Sequence, residues 1–273
     1  MRTSRVLITL PLLAAVALLP RPAAAQDNDR DADWVSRCQR WNGNNDREQF
    51  CEERVTRIAA PRLLSVDGRE NGGVAVHAWD GDGVEVRQRI QAWAPSREEA
   101  RQVAQQVRVH TAGGTIYADG PDNERRRGFA VSYVIMVPRR TDLRVETRNG
   151  PVGVTGVTGR MELSAVNGPL ALRDLGGQVH ARAENGPLSV QLTGSRWSGQ
   201  GLDAETTNGP VTLSVPSGYA ATLTTGTVNG PMNVDFPVTV RGRFPRQFTT
   251  ELSGGGAPIR VVTTNGPVMV RRR

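Results

Sequence analysis

Three stretches decide the fold: LRVETRNGPVGV (Leu143–Val154), MELSAVNGPLAL (Met161–Leu172) and VHARAENGPLSV (Val179–Val190). Superposed on Asn-Gly-Pro, they carry apolar or small residues at the same places, and three further copies extend the pattern. The six copies begin at Asn149, Asn167, Asn185, Asn208, Asn229 and Asn265, with spacings of 18, 18, 23, 21 and 36 residues. Asn71-Gly72-Gly73 is a degenerate seventh copy upstream. Self-similarity of this kind marks a repeat architecture.

The flanks define the unit. Six residues before Asn stand Leu143, Met161, Val179, Leu202, Leu223 and Ile259; four before stand Val145, Leu163, Ala181, Ala204, Thr225 and Val261. Two before stand Thr147, Ala165, Ala183, Thr206, Thr227 and Thr263. Three after come Val152, Leu170, Leu188, Val211, Met232 and Val268; five after come Val154, Leu172, Val190, Leu213, Val234 and Val270. Period-two alternation on both sides of a turn predicts strand–turn–strand units with one buried face. Inward side chains shrink toward the turn, as a narrowing corner of a thin core requires.

Asn-Gly between alternating strands is the usual hairpin signal, but the proline opposes it. In a two-residue hairpin the residue after Gly donates its N–H across the turn, and Pro has none. Pro is tolerated at the first position of a strand. Asn and Gly can both take positive φ, and Gly meets the restriction before Pro at least cost. The predicted structural turns are therefore corners: Asn149-Gly150-Pro151, Asn167-Gly168-Pro169, Asn185-Gly186-Pro187, Asn208-Gly209-Pro210, Asn229-Gly230-Pro231 and Asn265-Gly266-Pro267. The expected fold is all-β, a parallel β-solenoid over 141–273, with an antiparallel β-sandwich as the alternative. In-register stacking would bring the Asn side chains into a hydrogen-bonded ladder.

The rest of the chain divides by composition. Basic Arg2 and Arg5, an apolar run from Val6 to Leu19, and Ala23-Ala24-Ala25 predict a secretory signal peptide over 1–25. The run is shorter than the roughly 20 residues of a membrane span, and no transmembrane segment is expected after signal removal. Residues 26–57 read as a polar, loop-rich extension. Cys38 and Cys51 are the two cysteines of the chain, and in an oxidising compartment they are expected to form a disulfide. Residues 58–140 hold predicted strands at Leu63–Val66, Val74–Trp79, Val84–Trp93 and Phe129–Val137, and a short helix near 96–107. The helix follows a Ser96-Arg97-Glu98-Glu99 capping box and presents Ala100, Val103, Ala104 and Val107 on one face. It is the expected cap for the open N-terminal end of the stack. Asp80-Gly81-Asp82-Gly83 is read as a plain turn and not a calcium loop, because no acidic residue closes it. The arginines near the C-terminus are read as charge that protects an open β-edge.

From about Cys51 to Arg273 the sequence resembles the bacterial adhesin-like β-solenoid domains of unknown function. The resemblance rests on the Asn-Gly-Pro units, on Val-Pro-Arg-Arg-Thr-Asp-Leu (137–143), on Trp197-Ser198-Gly199 with Leu202-Asp203, and on Asp235-Phe236-Pro237. It implies a fold and an envelope compartment more than an activity.

Chemistry-bearing motifs are absent. His77, His110 and His180 stand apart in sequence, and there is no nucleophile elbow, zinc-helix motif or phosphate loop. No catalytic residue, metal ligand or cofactor is assigned. The formal charge of +7 falls to +4 when Arg2, Arg5 and Arg21 leave with the signal, and without a clustered basic face nucleic acid is not an expected partner. The expected function is that of an exported, non-catalytic, adhesin-like protein of the periplasm or cell surface. An accessory envelope protein without its own ligand is the alternative, and a polysaccharide-acting enzyme is the third reading. Partners would be an envelope glycan, a lipid headgroup or another envelope protein. The longest interruption of the repeat, 238–257, offers Arg241, Arg243, Phe244, Arg246 and Phe248 as a candidate binding loop. Its alternative is a solvated connection whose phenylalanines tuck against the last unit.

Overall fold

The computed structural model describes residues 34–40, 47–235 and 246–273. The predicted signal peptide, and Arg241, Arg243 and Phe244 of the predicted loop, lie outside them.

The described chain is all-β apart from two helices and one short 3₁₀ turn, with two ten-stranded mixed sheets facing each other. Each repeat gives its strand before Asn-Gly-Pro to one sheet and its strand after to the other. Met161, for example, pairs with Leu143 on one side and Val179 on the other, while Leu170 pairs with Val152 and Leu188. All these pairings are parallel and in register. Among the described residues no strand pairs with its neighbour across an Asn-Gly-Pro, so the turns are corners between sheets and not hairpins. The core lies between the sheets. Every inward position named above is buried except Met232 and Val234, which lie on an edge strand.

The corners close tightly, for a reason other than the expected one. None of the Asn residues has positive φ, and of the corner glycines only Gly266 does. Glycine is required by close approach. A Cβ at Gly186 would lie 2.1 Å from the carbonyl oxygen of Gly168, and one at Gly209 would lie 2.1 Å from that of Gly186. The proline has its own consequence. In the parallel pattern, the Gly186 carbonyl faces the position of the Pro210 N–H, which does not exist. The inward Thr206 hydroxyl donates there at 2.9 Å. Thr263 donates to Gly209 at 3.0 Å and Thr227 to Gly266 at 2.9 Å in the same way. The threonines two residues before Asn thus do more than fit a narrow corner.

The order of units departs from the order of the sequence. Strand Pro258–Asn265 lies between Gly201–Asn208 and Ala221–Asn229, and Val268–Arg272 lies between Val211–Val215 and Met232–Val234. The last unit of the chain is therefore internal. The expectation that the terminal arginines guard an open edge is corrected. The edges at that end are Met232–Val234 in one sheet and Gln247–Leu252 in the other, the latter antiparallel to Ala221–Asn229.

At the other end the sheets become antiparallel. Glu48–Ala59 pairs with Gly83–Ala94, which pairs with Gly128–Pro138. The extension expected to be loop-rich thus contains a 12-residue edge strand and the helix Trp34–Arg40. The Cys38–Cys51 disulfide joins them, with Cα atoms 6.2 Å apart. Helix Arg97–Gln106 is capped by Ser96, whose side chain accepts from the Glu99 N–H, and it buries Ala100, Val103 and Ala104. It packs on Gly83–Ala94 and Glu48–Ala59. Arg54 of the edge strand donates to the carbonyl oxygens of Val107 (2.9 Å) and Ala104 (3.1 Å), the latter also accepting the Val107 N–H at 3.2 Å, and so ties the C-terminal end of the helix to the strand.

Candidate binding surfaces

The outward side chains form rows because the pairing is in register. Strand alternation turns Arg144, Glu162, His180, Asp203 and Arg260 to the same side, and each is the direct partner of the next. A parallel row holds Glu146, Ser164, Arg182 and Glu205. All of these except Arg260 line a shallow hollow of about 330 Å³ on the face of one sheet.

Charges in these rows are paired between units. Arg144 donates twice to Glu162, at 2.7 and 2.9 Å. Arg260 bridges Asp203 at 2.6 Å and Glu205 at 3.0 Å, and Arg182 also bonds Glu205. Partial burial pushes the Glu205 carboxyl upward, but hydrogen bonds from Arg260 and Arg182 outweigh it and hold the group below the usual carboxylate range. Burial likewise opposes charge on Arg260, and Asp203 and Glu205 more than restore it. Such a surface presents fixed charges of both signs. Its most enclosed carboxylate is held ionised by two arginines, the reverse of what a general acid requires.

The same logic operates on the outer face of the N-terminal strands. Glu85, only 5% exposed, accepts from Arg57 and Arg87. The bond from Arg57 is the largest influence on its carboxyl, which stays below the ordinary value despite burial.

Of the sequence-predicted loop, Arg246 and Phe248 lie among the described residues. Phe248 is 8% exposed and lies opposite Thr225 on the antiparallel edge. Arg246 is exposed, and its backbone carbonyl accepts from the Thr227 N–H at 2.9 Å. His180 lies on the outward face, as expected from strand alternation. His110, unremarkable in sequence, stacks on Tyr117 with ring centres 4.5 Å apart and reaches Asp119 at 3.2 Å. No sequence motif marks that cluster, because its members come together through pairing of Arg108–His110 with Thr115–Asp119. Among the described residues no group of three or more His, Cys, Asp or Glu side chains is placed to hold a metal ion. No described helix is long and apolar enough to cross a membrane.

No protein-family profile and no curated protein matches the sequence. Solved structures resemble it in outline. A candidate cell adhesion protein from Clostridium sporogenes aligns over 82% of this chain and 100% of its own, with 8% identity and a TM-score of 0.46. A candidate adhesin from Bacteroides fragilis aligns over 81% and 97%, with 10% identity and a TM-score of 0.34. A candidate lipid-binding protein from Parabacteroides distasonis aligns over 84% and 98%, with 9% identity and a TM-score of 0.37. Likeness of that degree concerns outline, and function has to come from this chain's own residues.

Proposed function

We propose that the chain is an exported, non-catalytic, adhesin-like binding protein of the cell envelope. In this reading a signal peptide over 1–25 is removed, and the disulfide-pinned segment 26–57 and the strands and helix of 58–140 cap one end. Units 141–273 form a short parallel β-solenoid that serves as a rigid platform. The in-register parallel pairing of equivalent strands supports the solenoid over a sandwich, since a sandwich of antiparallel hairpins would pair strands across the turns.

One observation carries the functional reading: the outward row from Arg144 to Arg260, in which carboxylates and guanidiniums from successive units hold each other. Fixed, mixed charge on a rigid surface suits recognition of an extended polar partner, because little side-chain entropy remains to be lost on binding. The accessory reading, with no ligand, makes the opposite prediction in one assay. Purified mature chain is sedimented with isolated envelope material at low and moderate salt. Binding is expected to saturate and to weaken in the Arg144→Ser, Arg182→Ser variant. A parent chain that stays wholly in the supernatant overturns the binding reading.

A further inference from the structure

A larger hollow lies at the N-terminal end of the stack. Its open volume is about 420 Å³, within the range of sites that enclose small molecules. The corner 68–72 and the segment 118–123 wall it, and Phe129, Ala130, Val131 and Tyr133 complete its lining.

Several polar groups at this hollow lack partners among the described residues. Tyr133 is 2% exposed, and its hydroxyl is buried with no hydrogen-bond partner among the described residues. Burial, and then the nearby charge of Asp67, push its pKa upward, so the group remains a neutral donor. A buried hydroxyl left unpaired is destabilising, which makes its retention at the wall of a cavity informative. Asn71 adds a second donor. Along the stack each Asn donates its side-chain amide to the next one toward the N-terminal end, as Asn185 does to Asn167 and Asn167 to Asn149. Asn71 accepts from Asn149 at 3.4 Å and has no further rung to which it can donate. The donor end of the whole row therefore opens at this hollow. Asn123 is oriented by accepting the Phe129 N–H at 2.7 Å through Oδ1, with its Nδ2 making no hydrogen bond among the described residues.

Acceptors are present as well. Asp122 makes no ion pair or hydrogen bond among the described residues, whereas Asp119 is held by Arg69 at 3.3 Å and by His110 at 3.2 Å. Of the three carboxylates in the lining, Glu70 is paired with Arg148 at 3.2 Å and Asp119 with Arg69 at 3.3 Å, which leaves Asp122 without a cationic partner among the described residues. An unpaired carboxylate disfavours anions such as uronate or phosphate. Neutral donors, a free carboxylate and the Phe129 ring beside them suit a ligand with hydroxyls on its edges and C–H groups on its face.

We propose that this hollow binds an uncharged glycosyl residue, with its hydroxyls accepting from Tyr133 and Asn71 and donating to Asp122. The inference deepens the envelope-binding reading and rests on it. The probe is an array of neutral, uronic-acid and amino-sugar oligosaccharides, followed by titration of the full mature chain with the best-retained neutral member. Tyr133→Phe is expected to weaken that binding more than tenfold while the melting temperature holds or rises, since the variant deletes an unpaired hydroxyl and no packing. Asp122→Ala, at the rim, is expected to weaken it as well. Equal affinity in the parent and in both variants overturns the site, as does retention of uronic-acid members alone. If the parent sediments with envelope material and Tyr133→Phe does so equally, the pocket fails and the envelope-binding reading stands. A parent that binds neither the envelope nor any array member overturns both.

Discussion

The side-chain amide of Asn265 donates to Oδ1 of Asn208 at 2.8 Å, although 57 residues separate them. Asn229, between them in sequence, lies beyond Asn265 in space and donates to its Oδ1 at 2.8 Å. The last unit of the chain thus sits inside the stack. Deleting 258–273 would remove an internal layer and leave Ala221–Asn229 without its parallel neighbour. The truncated chain is expected to become protease-sensitive across 216–257, while 47–215 stays protected. Uniform protection of both regions would contradict this.

The corner glycines are held by space. Gly186→Ala places a Cβ against the Gly168 carbonyl, and overpacking of this kind costs about 1–3 kcal/mol. Pro187→Ala is expected to be mild or favourable, because it restores an N–H facing that same carbonyl, which neither Ala165 nor Ala183 can serve. Chemical denaturation of the two variants checks the order. Equal loss in both would show that proline rigidity, and not close approach, governs the corner.

Thr206 tests the hydroxyl that replaces the missing proline donor. Thr206→Val preserves shape but leaves the Gly186 carbonyl without its 2.9 Å bond, a loss of about 1–3 kcal/mol for a buried group. Thr206→Ser keeps the donor and should lie closer to the parent. Denaturation midpoints in the reverse order would refute the role.

The Cys38–Cys51 bridge closes a 13-residue separation and ties helix Trp34–Arg40 to the edge strand. Loop-closure entropy gives it about 3 kcal/mol. Reduction, or Cys38→Ser with Cys51→Ser, should lower the denaturation midpoint, and peptide mapping of exported protein should find both thiols protected without reduction. Free, alkylatable thiols in the exported chain would exclude the bridge.

Acid should loosen the paired carboxylates. Glu85 and Glu205 have folded values below the ordinary 4.5. Their contribution is therefore fully present above that value and is lost as pH falls through the lower folded values. Melting temperature should be flat down to about pH 5 and then drop. Glu85→Gln should flatten part of that drop, and a profile identical to the parent's would contradict the assignment of Glu85.

Much of this was legible in the sequence. Alternation around Asn-Gly-Pro marks the inward residues from Leu143 to Val270, and the proline separates corner from hairpin. The order of units was not legible: each repeat carries the same pattern, so nothing local distinguishes Asn265 as a neighbour of Asn208 from Asn265 as a terminal rung. Strand Glu48–Ala59 was masked because Glu52 and Arg54 occupy inward positions where apolar residues are expected. Arg54 is there to serve the carbonyls of Ala104 and Val107. Glycine at the corners was expected, but for dihedral freedom, since a Cβ contact with another unit cannot be seen without the stack. The hollow beside Tyr133 joins residues from 68 to 133 and leaves no linear signature.

The stacking order underlies the platform, the Asn row and the hollow at its end, and a pair of engineered disulfides tests it directly. Adjacent parallel strands lie about 4.8 Å apart, within the span that a disulfide bridges, whereas strands two layers apart exceed it. Asn208→Cys with Asn265→Cys should therefore oxidise to a crosslink found by peptide mass mapping, and Asn208→Cys with Asn229→Cys should not. A crosslink between 208 and 229, with none between 208 and 265, would contradict the account.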